Sequence, residues 1–268
     1  MGEGEALPQF CTLHFAFCIF CFHKPYERRT ALENQLLGKV HSFQSLGAVD
    51  GPGIRFVVFM QGCPYRCPYC HNPDTQPFSG GEEYTVEEIV KKAVRFKSYF
   101  GEKGGVTVSG GEPLAQADFV AKLFEELHKV GINTALDTAG YPVNEAVKKV
   151  LEHTDTVLCD IKFPTDEQYK THIGTTLETT LNFIEECNNY NTDIIIRHVV
   201  VPGMTDSIEN IKQIAALAKR AKSLQKIELL PFKKLCVQKY DELGLEFPLK
   251  DTPECDKKTI ERLTEITR

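Results

Sequence analysis

From Lys39 onward the chain alternates short β-branched runs with longer amphipathic stretches, and this alternation constrains the fold of the 268 residues more than any other feature. Repeated βα units write such a pattern, because each crossover lays a helix outside a parallel sheet. Strands are expected at 55–60, 106–109, 134–137, 156–160, 193–200 and 226–230. Helices are expected near 85–100, 115–130, 143–153, 176–190 and 207–222, with a last one from about 256. The runs DIIIRHVVV and KIELL are almost continuously apolar, as strands must be when helices cover one face and side chains fill the other. Thr85 before Glu87 and Glu88, and Thr205 and Asp206 before Ser207 and Glu209, supply caps and first-turn acids. The expected fold is α/β: an open, partial (β/α)6 barrel of the TIM type, with a parallel sheet and helices outside.

In such barrels chemistry gathers at the carboxyl ends of the strands. GCPYRCPYC follows the first expected strand, SGGEP the second and DTAG the third. DIK lies within the end of the fourth, RHVVVPG within the fifth, and PFKK follows the sixth. Polar and glycine-rich segments therefore recur at one rim.

The length suits one catalytic domain, expected over 38–268. Residues 1–37 read as an appendage, since CTLHFAFCIFCFHKPYERR has neither helical nor strand periodicity. A start near Leu36, Leu37 or Val40, through a non-standard initiation codon, would account for it. The net charge of −6 gives no basic footprint for nucleic acid. No apolar run approaches the roughly 20 residues that cross a bilayer. The segment from Phe10 to Phe22 lacks a basic leader and a clear cleavage site, which argues against export. A reducing, cytoplasmic setting is expected for the ten cysteines, whose spacing is uneven.

One group of thiols is tight enough to chelate. Cys63, Cys67 and Cys70 form C-x3-C-x2-C in a loop where Pro64 and Pro68 prevent regular helix. Thiolates suit zinc or iron–sulfur centres. Structural zinc almost always takes four protein ligands, and no fourth cysteine lies nearby, while His71 adjoins Cys70 and is badly placed to close the same site. Three cysteines on a 4Fe-4S cluster would leave one iron open to an outside ligand. A Cys3His zinc knuckle and a redox thiol pair remain as alternatives on this motif alone. Cys159, Cys187, Cys236 and Cys255 read as ordinary small residues.

The motif resembles that of the radical S-adenosylmethionine superfamily, C-x3-C-x-aromatic-C, with Tyr69 in the aromatic place. The family's GGE motif is matched by Gly110, Gly111, Glu112 and Pro113. Two glycines let backbone approach a ligand, and strand-end carbonyls with a carboxylate suit the ammonium of a methionine moiety. Further resemblance, through KVHSFQSLGAVDGPGIRFVVFMQGCPYRCPYCHNPDT, DTAG, DIK, IRHVVVPG and IELLPF, is to activating enzymes of glycyl-radical enzymes, and runs from about Lys39 to the C-terminus. It implies that Tyr69, Cys70, His71 and Asn72 lie near the adenosine, and that Asp160, Ile161 and Lys162 meet the amino-acid end, Lys162 facing its carboxylate. It further implies that Arg197 and Val199 line the pocket with Leu230 near the adenine. Where the family often has histidine after PY, this chain has Lys233 in the ribose-facing place. A monovalent cation site is implied at Asp137, Thr138, Asp160 and a carbonyl near Leu158, all oxygen ligands.

The implied cofactors are a 4Fe-4S cluster and S-adenosylmethionine, and the implied reaction is reductive cleavage to a 5′-deoxyadenosyl radical that removes a glycine Cα hydrogen from a partner protein. No side-chain acid or base is required. The segment from Cys70 to Gly110 holds no further cysteine, unlike activases with an inserted ferredoxin-like segment; with DGPGIRFVVF this points to pyruvate formate-lyase as the partner. Reduced flavodoxin or ferredoxin is the implied electron donor, and a monomer is expected. A radical enzyme acting on a small molecule or on another glycyl-radical enzyme, and a zinc-binding interaction module, are the rival readings.

Overall fold

The computed structural model describes residues 36–267. The residues from Gly38 onward form one compact unit. The appendage with Cys11, Cys18 and Cys21 lies outside the described residues, apart from positions 36 and 37.

In chain order the elements are β1 (Leu37–Gly47), β2 (Arg55–Met60), β3 (Glu82–Thr85), α1 (Val86–Val94), β4 (Gly105–Gly110), α2 (Ala117–Lys129), β5 (Asn133–Thr138) and α3 (Glu145–Leu151). There follow β6 (Thr156–Asp160), α4 (Asp166–His172), α5 (Leu177–Cys187), β7 (Asp193–Val200), α6 (Ile208–Ala218), β8 (Leu224–Pro231), α7 (Val237–Glu242) and α8 (Lys257–Thr264). The sheet order is β3-β1-β2-β4-β5-β6-β7-β8, and every step from β2 to β8 is parallel. β3 and β8 end the sheet, so the barrel is open, as expected. The six expected strands are β2 and β4 to β8.

β1 and β3 extend the edge beyond the expected repeat. β1 runs antiparallel to β2 with irregularities between Val40 and Ser42 and between Gln44 and Gly47, so its apolar residues never keep the period of two by which a strand is recognised. The short α4 and α7 were also not foreseen; each buries one tyrosine, Tyr169 and Tyr240, on an otherwise polar turn. The capping box at Thr85 is present, with its hydroxyl accepting from Glu88 N and Glu88 accepting from Thr85 N. At α6 the cap is Ser207, which accepts from Asn210 N at 3.1 Å. Thr205 instead closes the turn after β7, accepting from Val201 N and donating to Val199 O.

The strands divide their residues between two faces. Val106, Val108, Leu136, Val157, Cys159, Ile194 and Ile196 join Phe119, Val120, Leu123, Phe124 and Leu127 of α2 in the core between sheet and helices. Ala135, Leu158 and Ile195, one residue out of step, are buried without joining that core, on the barrel's inner face. Since side chains alternate along a strand, the next inward positions at the carboxyl ends are Asp137, Asp160 and Arg197.

Two buried polar groups brace this frame. Arg55, with no exposed surface, donates to Thr107 Oγ1 at 2.9 Å, Asn133 Oδ1 at 2.7 Å and the carbonyl of Val106 at 2.6 Å, and also meets the carbonyls of Pro52 and Lys103. Its guanidinium therefore pins the loop between β1 and β2 to the amino ends of β4 and β5. His198, on the outer face, donates from Nδ1 to Ile161 O at 2.7 Å and accepts from Asn210 Nδ2 at 3.0 Å. Burial holds its pKa down, at about 4.

Lysine cannot replace the fork of donors that Arg55 supplies. Arg55→Lys is expected to lower unfolding free energy by about 3 kcal/mol or more through acceptors left unpaired, measured by urea titration. His198 stays neutral in the fold while the unfolded chain takes up its proton below about pH 6.5. Stability therefore falls as pH drops from about 6.5 towards 4, by up to about 3 kcal/mol. His198→Gln should flatten this pH dependence relative to wild type in paired urea titrations.

Candidate cofactor-binding site

The three cysteines lie on the loop that leaves β2, and that loop is tied down by its own backbone. Gly62 N donates to Thr75 O at 2.8 Å, Cys63 N to Gln76 O at 3.1 Å and Cys70 N to Cys67 O at 3.1 Å. Arg66 caps the Cys63 carbonyl at 2.8 Å. Two tyrosines anchor the loop to the segments that leave β5 and β6: Tyr65 Oη donates to Gly140 O at 2.5 Å, and Tyr69 Oη to Lys162 O at 3.1 Å. Cys63, Cys67 and Cys70 face a cavity of about 250 Å³ at the carboxyl rim. Burial pushes the Cys63 thiol up to about 12, helped by Glu112, and the Cys67 thiol up to about 11 against the pull of Lys162. Loss of these protons therefore has to be coupled to binding of a metal centre.

The donor set discriminates between centres. No fourth cysteine lines the cavity; the described cysteines Cys159, Cys187, Cys236 and Cys255 are all buried. Among the described residues, no three His, Cys, Asp or Glu side chains converge tightly enough for a single ion. His71 does not close a Cys3His site, because its Nε2 donates to Lys233 O at 2.9 Å. Three soft thiols spread around one cavity fit a polynuclear iron–sulfur cluster with one open position better than tetrahedral zinc.

The glycines after β4 press against this loop. A Cβ on Gly111 would sit 2.2 Å from Gly62 O, and Gly110 has φ of 109°, a region that favours glycine. That close approach lets Gly111 N donate to Met60 O and Glu112 N to Gly62 O, both at 2.9 Å. Glu112 then turns inward, where its carboxylate accepts from Leu114 N at 3.1 Å, Thr138 Oγ1 at 2.7 Å and Ala139 N at 3.1 Å. Burial raises its pKa to about 7 in spite of these bonds. Glu112 is 1% exposed, fastens the β4 loop to the β5 loop and lines the cavity towards which a ligand ammonium is expected.

Four charges meet on the inner face. Arg197 donates from Nε to Asp160 Oδ1 at 3.1 Å and from Nη2 to Asp137 Oδ1. Lys162 Nζ reaches Asp160 Oδ2 at 2.7 Å, and Ser109 Oγ donates to Asp137 Oδ2 at 2.7 Å. Burial alone would raise the Asp160 carboxyl, but Arg197 and Lys162 outweigh it and hold it at about 2. Asp137, which lacks the direct lysine partner of Asp160, is raised by burial against the pull of Arg197. Burial would likewise neutralise Lys162, yet Asp160 keeps it charged. Asp137 and Asp160 are thus paired with Arg197 and Lys162, and Thr138 with Glu112.

The cavity is lined by Tyr69, Cys70, His71, Asn72, Gly110, Gly111, Glu112, Asp137, Thr138, Asp160, Lys162, Arg197, Val199 and Leu230 of the residues expected there. Two expected residues are not brought in. Ile161 is fully buried, its N–H on Arg197 O and its carbonyl on His198, because strand alternation turns it outward. Lys233 points away, with Nζ on Glu254 Oε2 at 3.0 Å. Tyr65, Thr75, Gln76, Ser109, Ala139 and Pro231 line the cavity without having been singled out. Ser109 could have been found from its place two residues before Gly111 on the inward-facing register of β4; the others depend on loop paths.

Comparison with known proteins places this geometry. The family model described as the radical SAM superfamily matches residues 57–217. The chain is 45% identical over 229 residues to a pyruvate formate-lyase-activating enzyme of Clostridium pasteurianum, covering 85% of this chain and 96% of that protein. It is 40% identical over 234 residues to the pyruvate formate-lyase 1-activating enzyme of Escherichia coli K12, covering 86% and 95%. A crystal structure of a radical SAM methyltransferase from Sphaerobacter thermophilus shares the fold with a TM-score of 0.56 at 15% identity, over 91% of this chain and 79% of that one.

Arg197 is the cation that makes the buried aspartates tolerable. Arg197→Met is expected to cost about 3–5 kcal/mol near neutral pH. In the variant Asp137, already raised by burial, loses its main compensating cation while Asp160 keeps Lys162, so the fold binds more protons at Asp137 than the unfolded chain does and stability recovers as pH falls towards about 5. Urea titrations at both pH values check this, and an equal deficit at each would assign Arg197 a steric role.

Proposed function

The chain belongs to the radical SAM superfamily and, within it, to the family of pyruvate formate-lyase-activating enzymes, and from that premise we propose that Cys63, Cys67 and Cys70 hold a 4Fe-4S cluster at which S-adenosylmethionine is reductively cleaved. The cluster and S-adenosylmethionine, when bound, supply one-electron reduction, carbon–sulfur homolysis and a 5′-deoxyadenosyl radical that takes a glycine Cα hydrogen from pyruvate formate-lyase. The observation that carries this reading is the opening of three thiols and the Asp137–Asp160–Lys162–Arg197 group onto one cavity.

The residues of the chain then bind, orient and shield. Lys162 and Arg197 are placed to receive the carboxylate of the methionine moiety, and the backbone beside Gly110 and Gly111 is close enough to take its ammonium. Tyr69, His71 and Asn72 flank the adenosine, with Val199 and Leu230 supplying apolar surface. Glu112 acts through the two loops it joins, and Ile161 and Lys233 have no direct contact. A cation at Asp137, Thr138 and Asp160 would follow only if Arg197 moved to the cofactor carboxylate.

The open side of the barrel supports a macromolecular substrate. A second cavity of about 860 Å³, lined by Val49, Gly51 and Pro52, by the first residues of β5, β6 and β7 (Asn133, Thr156 and Asp193) and by β8 up to Leu230, meets the first at Leu230. A backbone glycine needs lateral access, which the gap between the free ends of the sheet at β3 and β8 would give, because its flanking residues must remain outside. We assign reduced flavodoxin or ferredoxin as electron donor, a monomeric state and a cytoplasmic location. Among the described residues no helix is long and apolar enough to cross a membrane.

The test is electron paramagnetic resonance on the anaerobically reconstituted protein with reductant, S-adenosylmethionine and pyruvate formate-lyase. A glycyl-radical doublet is expected; 5′-deoxyadenosine without the doublet would reject the partner, and neither product with a verified cluster would reject the activase reading. Cys67→Ala should lose the cluster by iron and sulfide analysis, whereas Lys162→Ala should retain it and bind S-adenosylmethionine more weakly.

A further inference from the structure

The helix that follows the last barrel strand reaches back to the far end of the cysteine loop. Lys239, on α7, places Nζ 2.9 Å from Asn72 Oδ1 and 3.0 Å from Asp74 Oδ2. Asp74 also meets His41 Nε2 of β1 at 3.2 Å, so one carboxylate ties the edge strand, the loop and the helix together. Beside it, Tyr240 Oη donates to Cys70 O at 3.4 Å. Lys239 is separated from Asn72 by 167 positions in sequence, and neither it nor α7 belongs to the βα repeat.

The contact decides which way the Asn72 amide faces. A lysine ammonium has donors and no acceptor, so the atom it touches must be the amide oxygen; the usual ambiguity between oxygen and nitrogen does not arise. Among the described residues no acceptor meets Asn72 Nδ2, and Asn72 lines the cavity beside Cys70 and His71. The amide is therefore held with its donor edge free for a ring nitrogen or ribose oxygen of a ligand. A free asparagine would rotate between two orientations, one of which offers that acceptor the wrong group.

We infer that Lys239 is a positioning residue for the adenosine end of the cofactor, acting by locking Asn72 with its N–H donors towards the cavity. This rests on the cofactor reading above. It assigns a function to α7 that the three cysteines and the GGE loop do not contain.

The test uses full-length, cluster-reconstituted Lys239→Met, Lys239→Arg and wild-type protein. In Lys239→Met, affinity for S-adenosylmethionine and for 5′-deoxyadenosine by calorimetry should fall about tenfold, the consequence of losing one oriented hydrogen bond. Iron and sulfide content, and the perturbation of the reduced cluster's paramagnetic signal by methionine, which carries no nucleoside, should stay unchanged. Lys239→Arg, which keeps a donor, should restore most of the loss. Asn72→Asp leaves Lys239 an acceptor but removes the amide donor, and should show the same nucleoside-specific loss. Unchanged S-adenosylmethionine affinity in Lys239→Met, or an equal loss for methionine or iron, overturns the inference. If the wild-type protein with a verified cluster fails to bind S-adenosylmethionine at all, it is the proposed function that falls.

Discussion

Arg197 stands between Asp137 and Asp160, and the geometry of the rim follows from that contact. The three residues occupy inward positions at the carboxyl ends of neighbouring strands β5, β6 and β7, and Lys162 adds a second cation just past β6. Burying charges is costly, and such a group persists only when every member is paired. Two acids and two bases cancel, and Ser109 takes a remaining oxygen of Asp137. Below this layer Ala135, Leu158 and Ile195 give the interior an apolar band. A zwitterionic ligand can enter such a group by exchange. Its carboxylate would take the place of an aspartate beside Lys162 or Arg197, and its ammonium the acceptor so released or the backbone beside Gly110 and Gly111, so no charge need be left unpaired.

The cysteine loop depends on a second constraint, which is steric. Gly111 lies against Gly62 so closely that a side chain cannot be accommodated, and the resulting backbone bonds join the loops after β2 and β4. Glu112 carries the connection on to β5 through Thr138 and Ala139. A cluster held by the first loop and a ligand cradled by the other two would thus share one rigid support. This matters because electron transfer to a sulfonium and homolysis require fixed placement more than any proton transfer, and placement is what a set of stitched loops provides.

The parallel strands were legible because helices on one side and a filled interior on the other demand long apolar runs, and DIIIRHVVV and KIELL meet that demand. β1 was not, since its bulges against β2 break the alternation, and α4 and α7 each rest on a single buried tyrosine that no periodic pattern announces. At the site, the rim rule located the right segments: Asp137, Asp160 and Arg197 fall inward by strand parity alone. Parity also explains why Ile161, between two inward residues, turns to the helices. What sequence could not supply was the direction of side chains in loops. Glu112 bends to Leu114 beside it and to Thr138 and Ala139 beyond β5, and Lys233 goes to Glu254, a partner 21 residues away.

An open barrel carries its own argument about substrate size. β3 and β8 end the sheet without meeting, and the space beside β8 is bounded by the loop that Arg55 pins at Pro52. A closed barrel would admit a small molecule from the rim and nothing more. With the side left open, a loop of another protein can lay its backbone across the inner face of β8, while the chain on either side continues into solvent. Glycine is the residue suited to that approach, because a Cα without a side chain brings its hydrogen nearest to the cavity. An opening of this kind leaves the cavity accessible to water, and a covering loop of the substrate protein would close it. In that arrangement selectivity comes from the fit of the covering loop as much as from any contact to the glycine.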